Sequence, residues 1–229
     1  MSRAPLPRGF FVTGTDTGVG KTRIAIALLR ALIEAGARAA GMKPVASGCE
    51  LRDGRLVNED ALALIAAGNV QAAYEDVNPY AFAPPIAPHV AARQAGTVVD
   101  RARIRASYLR LAARTDSVVV EGAGGWLVPV GPHATLADIA LDFALPVILV
   151  VGMRLGCINH ALLTAQAVAA SGLTLAGWIA NDPGPVMPER AASRAAIAER
   201  MAAPCLADVG SGASALSIAA QLRRGLALS

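Results

Sequence analysis

Lysine is nearly absent from this 229-residue chain: of its 21 basic residues only two, Lys21 and Lys43, are not arginine. Aromatic residues are scarce as well, at 4%, which removes the stacking platforms on which single-strand nucleic-acid binders rely. The formal charge is only +4 and the arginines are scattered. A mildly basic surface of this kind attracts anionic nucleotides, and no nucleic-acid partner is expected. The three cysteines, Cys49, Cys157 and Cys205, are odd in number, far apart and in no C-x-x-C pattern. They exclude a disulfide framework and a cysteine-based zinc site. No apolar run approaches the roughly 18 residues that cross a bilayer; the longest candidate, residues 145–153, contains Pro146. Residues 1–8 hold two prolines and two arginines but no apolar stretch of the signal-peptide kind, so no membrane partner and a cytoplasmic location are expected.

What is present points to a well-covered sheet. Hydrophobic residues make up 54% and charged residues 17%, and a chain of this length is expected to form one α/β domain over residues 1–229. Continuous apolar runs predict buried parallel strands over 9–14, 117–121, 146–151 and 175–181, with a smaller, weakly apolar one over 37–43. Helices are predicted over 21–35, 58–67, 101–114, 136–143, 158–171, 188–202 and 213–224. This alternation predicts a doubly wound, mostly parallel sheet flanked by helices. Ligands of such folds bind at the carboxyl ends of the strands. The Pro-rich stretch 78–89 reads equally as a surface loop or as a loop lining a substrate.

The run Gly14-Thr15-Asp16-Thr17-Gly18-Val19-Gly20-Lys21-Thr22 follows an apolar strand and opens a helix. That is the setting of a phosphate-binding P-loop, where backbone N–H groups and a helix N-terminus hold phosphate oxygens. Lys21 is expected to reach the β- and γ-phosphates and the Thr22 hydroxyl to bind Mg²⁺. The first glycine stands one residue earlier than in the plain motif, at Gly14 rather than at Thr15. A P-loop needs an acidic partner for its metal, and Glu121 ends the apolar run 117–121 just before Gly122, Gly124 and Gly125. Glu59 and Asp60 open a predicted helix, and chemistry alone does not choose between them, because helix-dipole compensation explains both.

The two lysines gain weight from the arginine-rich background. A compact ammonium and a planar guanidinium are not interchangeable at a tight phosphate site, and both lysines fall in segments already marked by other signals.

Taken in order, GTDTGVGKT, the segment from Gly41 to Gly48 (GMKPVASG), NPYAF and a later PH pair, VEGAGGW, PVILVVG with LGCINH, and LAGWIAND together resemble the dethiobiotin synthetase family. The similarity runs from about Phe10 to Asp182. It implies an enzyme that takes diaminopelargonate, CO₂ and ATP and closes a ureido ring through a carbamate and a carbamic–phosphoric anhydride. Carried over by motif, Lys21 and Lys43 would stabilise the carbamate and phosphate oxygens, and Thr17 and Ser47 would be polar contacts at the reacting groups. Thr22, Asp60 and Glu121 would bind Mg²⁺, which selects Asp60 by resemblance only. The nucleotide would lie against Asp16, Thr17, Gly18, Val19, Gly20, Lys21, Thr22, Glu121, Gly122 and Gly124, with Asn181 reading the base. Gly156, Cys157 and Asn159, at a helix start, would hold the substrate's carboxylate in the site of a neighbouring subunit, implying a homodimer with shared active sites. Cys157 is read as a small site-lining residue, since no base is spaced to activate it, and His160 as structural.

Two departures stand out. The segment from Cys205 to Ser214 (CLADVGSGAS) lacks the Ile-Pro-Trp-like sequence expected near the base, and the helix over 188–202 has no aromatic substrate contact. The competing reading is a P-loop ATPase of the partitioning or cobyrinate type. The partitioning class carries a signature lysine five residues before the P-loop lysine, where this chain has Asp16.

Overall fold

A computed structural model of the chain describes residues 8–228; the expectation for the N-terminal stretch otherwise lies outside them. In chain order the first elements are β1 (Gly9–Gly14), α1 (Lys21–Glu34), β2 (Ala39–Met42), β3 (Val45–Ser47), β4 (Glu50–Arg52) and β5 (Arg55–Val57). There follow α2 (Glu59–Ala67), α3 (Tyr74–Val77), β6 (Tyr80–Phe82), α4 (Pro88–Gln94), α5 (Arg101–Ala112) and β7 (Ser117–Gly125). The chain continues through α6 (Leu136–Phe143), β8 (Val147–Gly152), α7 (Cys157–Ala170), β9 (Leu175–Asn181), α8 (Arg190–Arg200), β10 (Cys205–Val209) and α9 (Ala215–Gly225). Six strands form one parallel sheet in the order β10-β9-β8-β1-β7-β2. The doubly wound α/β expectation holds, with β1 at the centre. Among the described residues no helix is long and apolar enough to cross a membrane.

Strand parity decides which side chains reach the site, because successive residues point to opposite faces. On β7, Val118 and Val120 enter the apolar layer that also holds Tyr108, Leu136 and Phe143, while Val119 enters the layer of Ile24, Leu28 and Leu32 from α1. Glu121 shares the parity of Val119 and so lies on the α1 face. On β2, Ala39 belongs to that same layer, and Lys43 just past the strand keeps its parity. Gly41 sits between them, and a Cβ there would stand 2.7 Å from Leu64 Cβ. Only glycine lets α2 pack this close to the sheet, which brings the first turn of α2 toward Lys43.

The structure corrects three sequence expectations. The strand carrying Glu121 continues to Gly125, so the carboxylate lies within a strand rather than at its end. Residues 205–209 form β10, an edge strand that pairs with β9; its five residues, interrupted by the exposed Asp208, gave no continuous apolar run. The stretch 78–89 is only partly loop, since Tyr80–Phe82 pairs in parallel with Val45–Ser47 and Pro88 opens α4. Bounds of the predicted helices otherwise shift by at most two residues, with Pro188 and Glu189 left outside α8.

Candidate active site

The P-loop lies between β1 and α1, at the carboxyl edge of the central strand. Gly20 caps α1 with φ 90°, a left-handed conformation open to glycine at little cost, and a Cβ there would meet Asn181 Nδ2 at 2.4 Å. The Lys21 ammonium folds back and donates to Asp16 O at 2.8 Å. Burial, with a smaller push from the neighbouring Lys43 charge, pulls its pKa down to about 8. Asp16 accepts from its neighbour Thr17 N at 2.7 Å and pairs with Arg154 of the β8–α7 turn.

Beside the loop stands a compact charged cluster. Lys43 Nζ donates to Glu121 Oε1 at 2.6 Å and to Asp60 Oδ2 at 2.6 Å. Thr22 Oγ1 donates to the same Glu121 Oε1 at 2.8 Å. Burial alone would push the Lys43 pKa down, but the charges of Glu121 and Asp60 outweigh it and hold the ammonium above its usual value. Asp60 shows the converse: burial raises its pKa, the Lys43 charge and hydrogen bond lower it more, and the net direction is down. The two carboxylates differ in setting, Glu121 being 1% exposed and Asp60 41%. Glu121 Oε2 and Ser47 Oγ are both buried without a hydrogen-bond partner.

A cavity of about 670 Å³ joins the P-loop to this cluster and runs on to Pro85–Pro88. Of the residues expected at the site it brings together Thr17, Gly18, Gly20, Lys21, Thr22, Lys43, Ser47, Asp60, Glu121 and Gly124. Within the Pro-rich stretch, Pro85, Ile86, Ala87 and Pro88 form one wall of this cavity. Asn58 also lines the cavity and was missed, because its role as the cap of α2 explains an asparagine there without any ligand. Glu59 points elsewhere and pairs with Arg52, which separates it from Asp60.

The remaining expected residues lie off the cavity. Val19 packs against Gly14 and Gly152 with its side chain fully buried, leaving only its backbone for a ligand. Gly122 sits beneath the Phe11 ring. Asn181 is 1% exposed; its Nδ2 donates to Val19 O at 2.7 Å and its Oδ1 accepts from Arg23 at 3.5 Å. In this conformation Asn181 braces the P-loop and turns no free amide edge outward. Arg23 also ties α1 to the carbonyls of Gly210, Ser211 and Ala213, a link not foreseen from sequence. Gly156, Cys157 and Asn159 stand together at the start of α7, with Gly156 at φ 94°. Cys157 departs from its expected role as a site-lining residue: it is 3% exposed, within the apolar cluster that holds Met153 and Trp178, and it packs.

The comparisons with known proteins agree with this geometry. A family described as "AAA domain" matches residues 8–213. An ATP-dependent dethiobiotin synthetase of Aromatoleum aromaticum is 50% identical over 219 residues, covering 95% of this chain and 97% of that protein. The enzyme of the same name from Pseudomonas aeruginosa is 54% identical over 201 residues, covering 87% and 88%.

The chain belongs to the dethiobiotin synthetase family.

Solved structures similar at the level of fold include the septum site-determining protein MinD from Pyrococcus horikoshii (TM-score 0.57, 15% identity, 96% of each chain). A ParA family ATPase from Chlorobium tepidum is similar too (TM-score 0.52, 13% identity, 97% of each chain). At that identity they share a P-loop α/β architecture and nothing more specific with this member of the dethiobiotin synthetase family.

Proposed function

We propose that this chain, acting as one α/β domain per active site, is an ATP-dependent ligase that makes dethiobiotin from diaminopelargonate and CO₂ in biotin biosynthesis. The single observation that carries the reading is the pair of buried lysines facing one cavity beside two carboxylates. Lys21 stands at the phosphate end and Lys43 at the end that opens toward Pro85–Pro88.

The chemistry needs such an arrangement. One amine of the substrate adds to CO₂ and loses a proton, giving a carbamate. A carbamate oxygen attacks the γ-phosphorus and ADP leaves. The second amine then attacks the anhydride carbon, the ring closes and phosphate departs. Each stage gathers negative charge close to the γ-phosphate, so fixed cations and N–H dipoles aimed there supply most of the rate. The N–H groups at Gly18, Gly20 and Lys21 suit the phosphates. Lys21 exchanges Asp16 O for phosphate oxygens, and Lys43 swings from the carboxylates to the carbamate. The unpartnered Ser47 hydroxyl is free to donate to the diamine, with Thr17 near the transferred group.

Thr22, Asp60 and Glu121 would hold Mg²⁺. Their hard oxygen donors suit it, and the buried, unpartnered Glu121 Oε2 together with the ammonium already bridging both carboxylates fits a place where a cation belongs. When bound, the ion neutralises charge on the β- and γ-phosphates. The start of α7, with Gly156 and Asn159, would take the substrate carboxylate in a partner's site, so a homodimer with shared sites is part of this proposal, as is a cytoplasmic location.

The test is direct. Purified protein given diaminopelargonate, bicarbonate, Mg²⁺ and ATP is expected to form dethiobiotin, read by mass spectrometry, with phosphate release that depends on the diamine. ATP hydrolysis indifferent to the diamine would instead indicate a switch ATPase.

A further inference from the structure

The NPYAF motif has no part in the chemistry above, yet the structure gives its first residues a task. Proline disfavours a helical conformation in the residue before it, so α3 ends at Val77 and Asn78 turns out of the helix at φ −132°, ψ 78°. Its side-chain amide then donates to Lys43 O at 2.7 Å and to Tyr80 O at 3.2 Å. Lys43 N donates in turn to Val77 O at 2.8 Å, so the lysine backbone is held on both sides by the end of α3.

The amide oxygen leads elsewhere. Asn78 Oδ1 accepts from Tyr74 Oη at 2.9 Å, and Tyr74 Oη accepts from Asn58 N at 2.8 Å. Asn58 Oδ1 caps α2 by accepting from Ala61 N at 3.3 Å, and that helix carries Asp60, which accepts from Lys43 Nζ at 2.6 Å. The path closes on itself: Lys43, Asp60, Asn58, Tyr74, Asn78 and back to Lys43. Direction is fixed as well. The Asn58 N–H can only donate, a phenol has one hydrogen, and Tyr74 must spend it on Asn78. That leaves the Asn78 amide only one orientation, with its NH₂ toward Lys43. Asn58, Tyr74, Asn78 and Lys43 are all buried, and the Arg55 guanidinium covers the Tyr74 ring at 4.6 Å.

We propose that Tyr74 and Asn78 are positioning residues for the reaction, setting the place of the Lys43 ammonium relative to Asp60 and to the reacting carbamate. The inference rests on the functional reading above for its kinetic part. Lysine has a long flexible stem, and only a fixed backbone anchor lets its ammonium return to one point. A misplacement of about 1 Å is enough to cost on the order of 10²-fold in rate.

Tyr74→Phe removes one oxygen and keeps the ring. It is expected to lower kcat by about 10-fold or more, the usual cost of disturbing a group that orients a reacting one, while KM for ATP stays unchanged because the P-loop lies outside the ring of bonds. Asn78→Asp, equal in size but unable to donate to both carbonyls, is expected to act likewise. Leu145→Ala, a core cavity just before β8 at the amino edge of the sheet and opposite the site, supplies a destabilised control with unchanged kcat. A second readout needs no turnover. With two lysines in the chain, protein labelled with ¹³C at lysine Cε gives two signals, and in nucleotide-free Tyr74→Phe the Lys43 signal is expected to move while that of Lys21 stays. An unmoved Lys43 signal overturns the proposal, as does parental kcat in Tyr74→Phe or an equal kcat loss in Leu145→Ala. If the parent makes no dethiobiotin the functional reading fails, whereas the Lys43 signal still decides the positioning role.

Discussion

Glu121 and Asp60 accept from the same ammonium at the same distance, 2.6 Å, so neutralising each in turn separates the effect of burial from that of contact. At an effective dielectric constant of about 20, a charge pair this close attracts by roughly 6 kcal/mol, offset in part by the cost of desolvating both ions. Glu121 is 1% exposed, and Glu121→Gln leaves Lys43 buried with half its compensation. Breaking such a pair by removing one partner costs about 3–5 kcal/mol. Asp60 is 41% exposed; water screens it, and Asp60→Asn is expected to cost about 1 kcal/mol or less. For a chain of this size each kcal/mol moves Tm by about 2–4 °C. The expected shifts are therefore on the order of 10 °C for Glu121→Gln and a few degrees for Asp60→Asn. Urea denaturation of nucleotide-free protein in EDTA measures both without aggregation on heating, with a constant m-value showing that only stability has changed. A double variant, Lys43→Met with Glu121→Gln, removes both charges and is expected to recover much of the loss. Equal costs for Glu121→Gln and Asp60→Asn, or a double variant as unstable as the sum of its singles, would refute the view that burial sets the strength of this cluster.

Three further outcomes follow from the site. Lys43→Arg is expected to lose most turnover, because a guanidinium cannot replace a compact ammonium between two carboxylates. Since Lys43 is buried, the larger group also overpacks the site, and the same variant is expected to lose about 1–3 kcal/mol of stability. Nucleotide binding is expected to take up a proton at pH 9: free Lys21 has its pKa pulled down to about 8 and is then mostly neutral, while a bound triphosphate favours the ammonium. Affinity therefore falls as pH rises through 8, and calorimetry in two buffers of different ionisation enthalpy reads the uptake, which Lys21→Met is expected to abolish. Mixing inactive Lys21→Ala chains with inactive Asn159→Ala chains is expected to restore some turnover if sites are shared, and a fully active monomer in sedimentation would exclude that arrangement.

The central sheet was legible because its strands are apolar on both faces, and β1 and β9 stand where the runs 9–14 and 175–181 predicted them. β10 was not, since it is an edge strand of five residues interrupted by the exposed Asp208 and carries a weaker signal than a covered one. Likewise the small β4–β5 hairpin escaped notice: it turns at Asp53-Gly54, both at positive φ, but its arms are only three residues long and mostly exposed. In the site, the P-loop was readable because its residues are contiguous. Lys43, Asp60 and Glu121 were picked out individually, yet nothing in the sequence says that one ammonium joins two carboxylates lying 17 and 78 positions away. For Asn181 the motif match suggested a base contact, with no sign in the sequence that its side chain also braces the P-loop through Val19 O. Tyr74 carried no signal at all, for a tyrosine beside an apolar patch is ordinary until its hydroxyl is followed to its partners.

Both lysines are buried and both line the nucleotide cavity, so among residues 8–228 every lysine amine opens on that cavity. Acylating reagents reach Lys21 and Lys43 through the cavity that both residues line, so a bound nucleotide is expected to slow their modification. A protease that cuts after lysine has Lys21, in the first turn of α1, as its target, since Pro44 follows Lys43 and disfavours cleavage there. Cleavage at Lys21 requires the first turn of α1 to open, and a bound nucleotide that holds this turn is expected to slow the digestion.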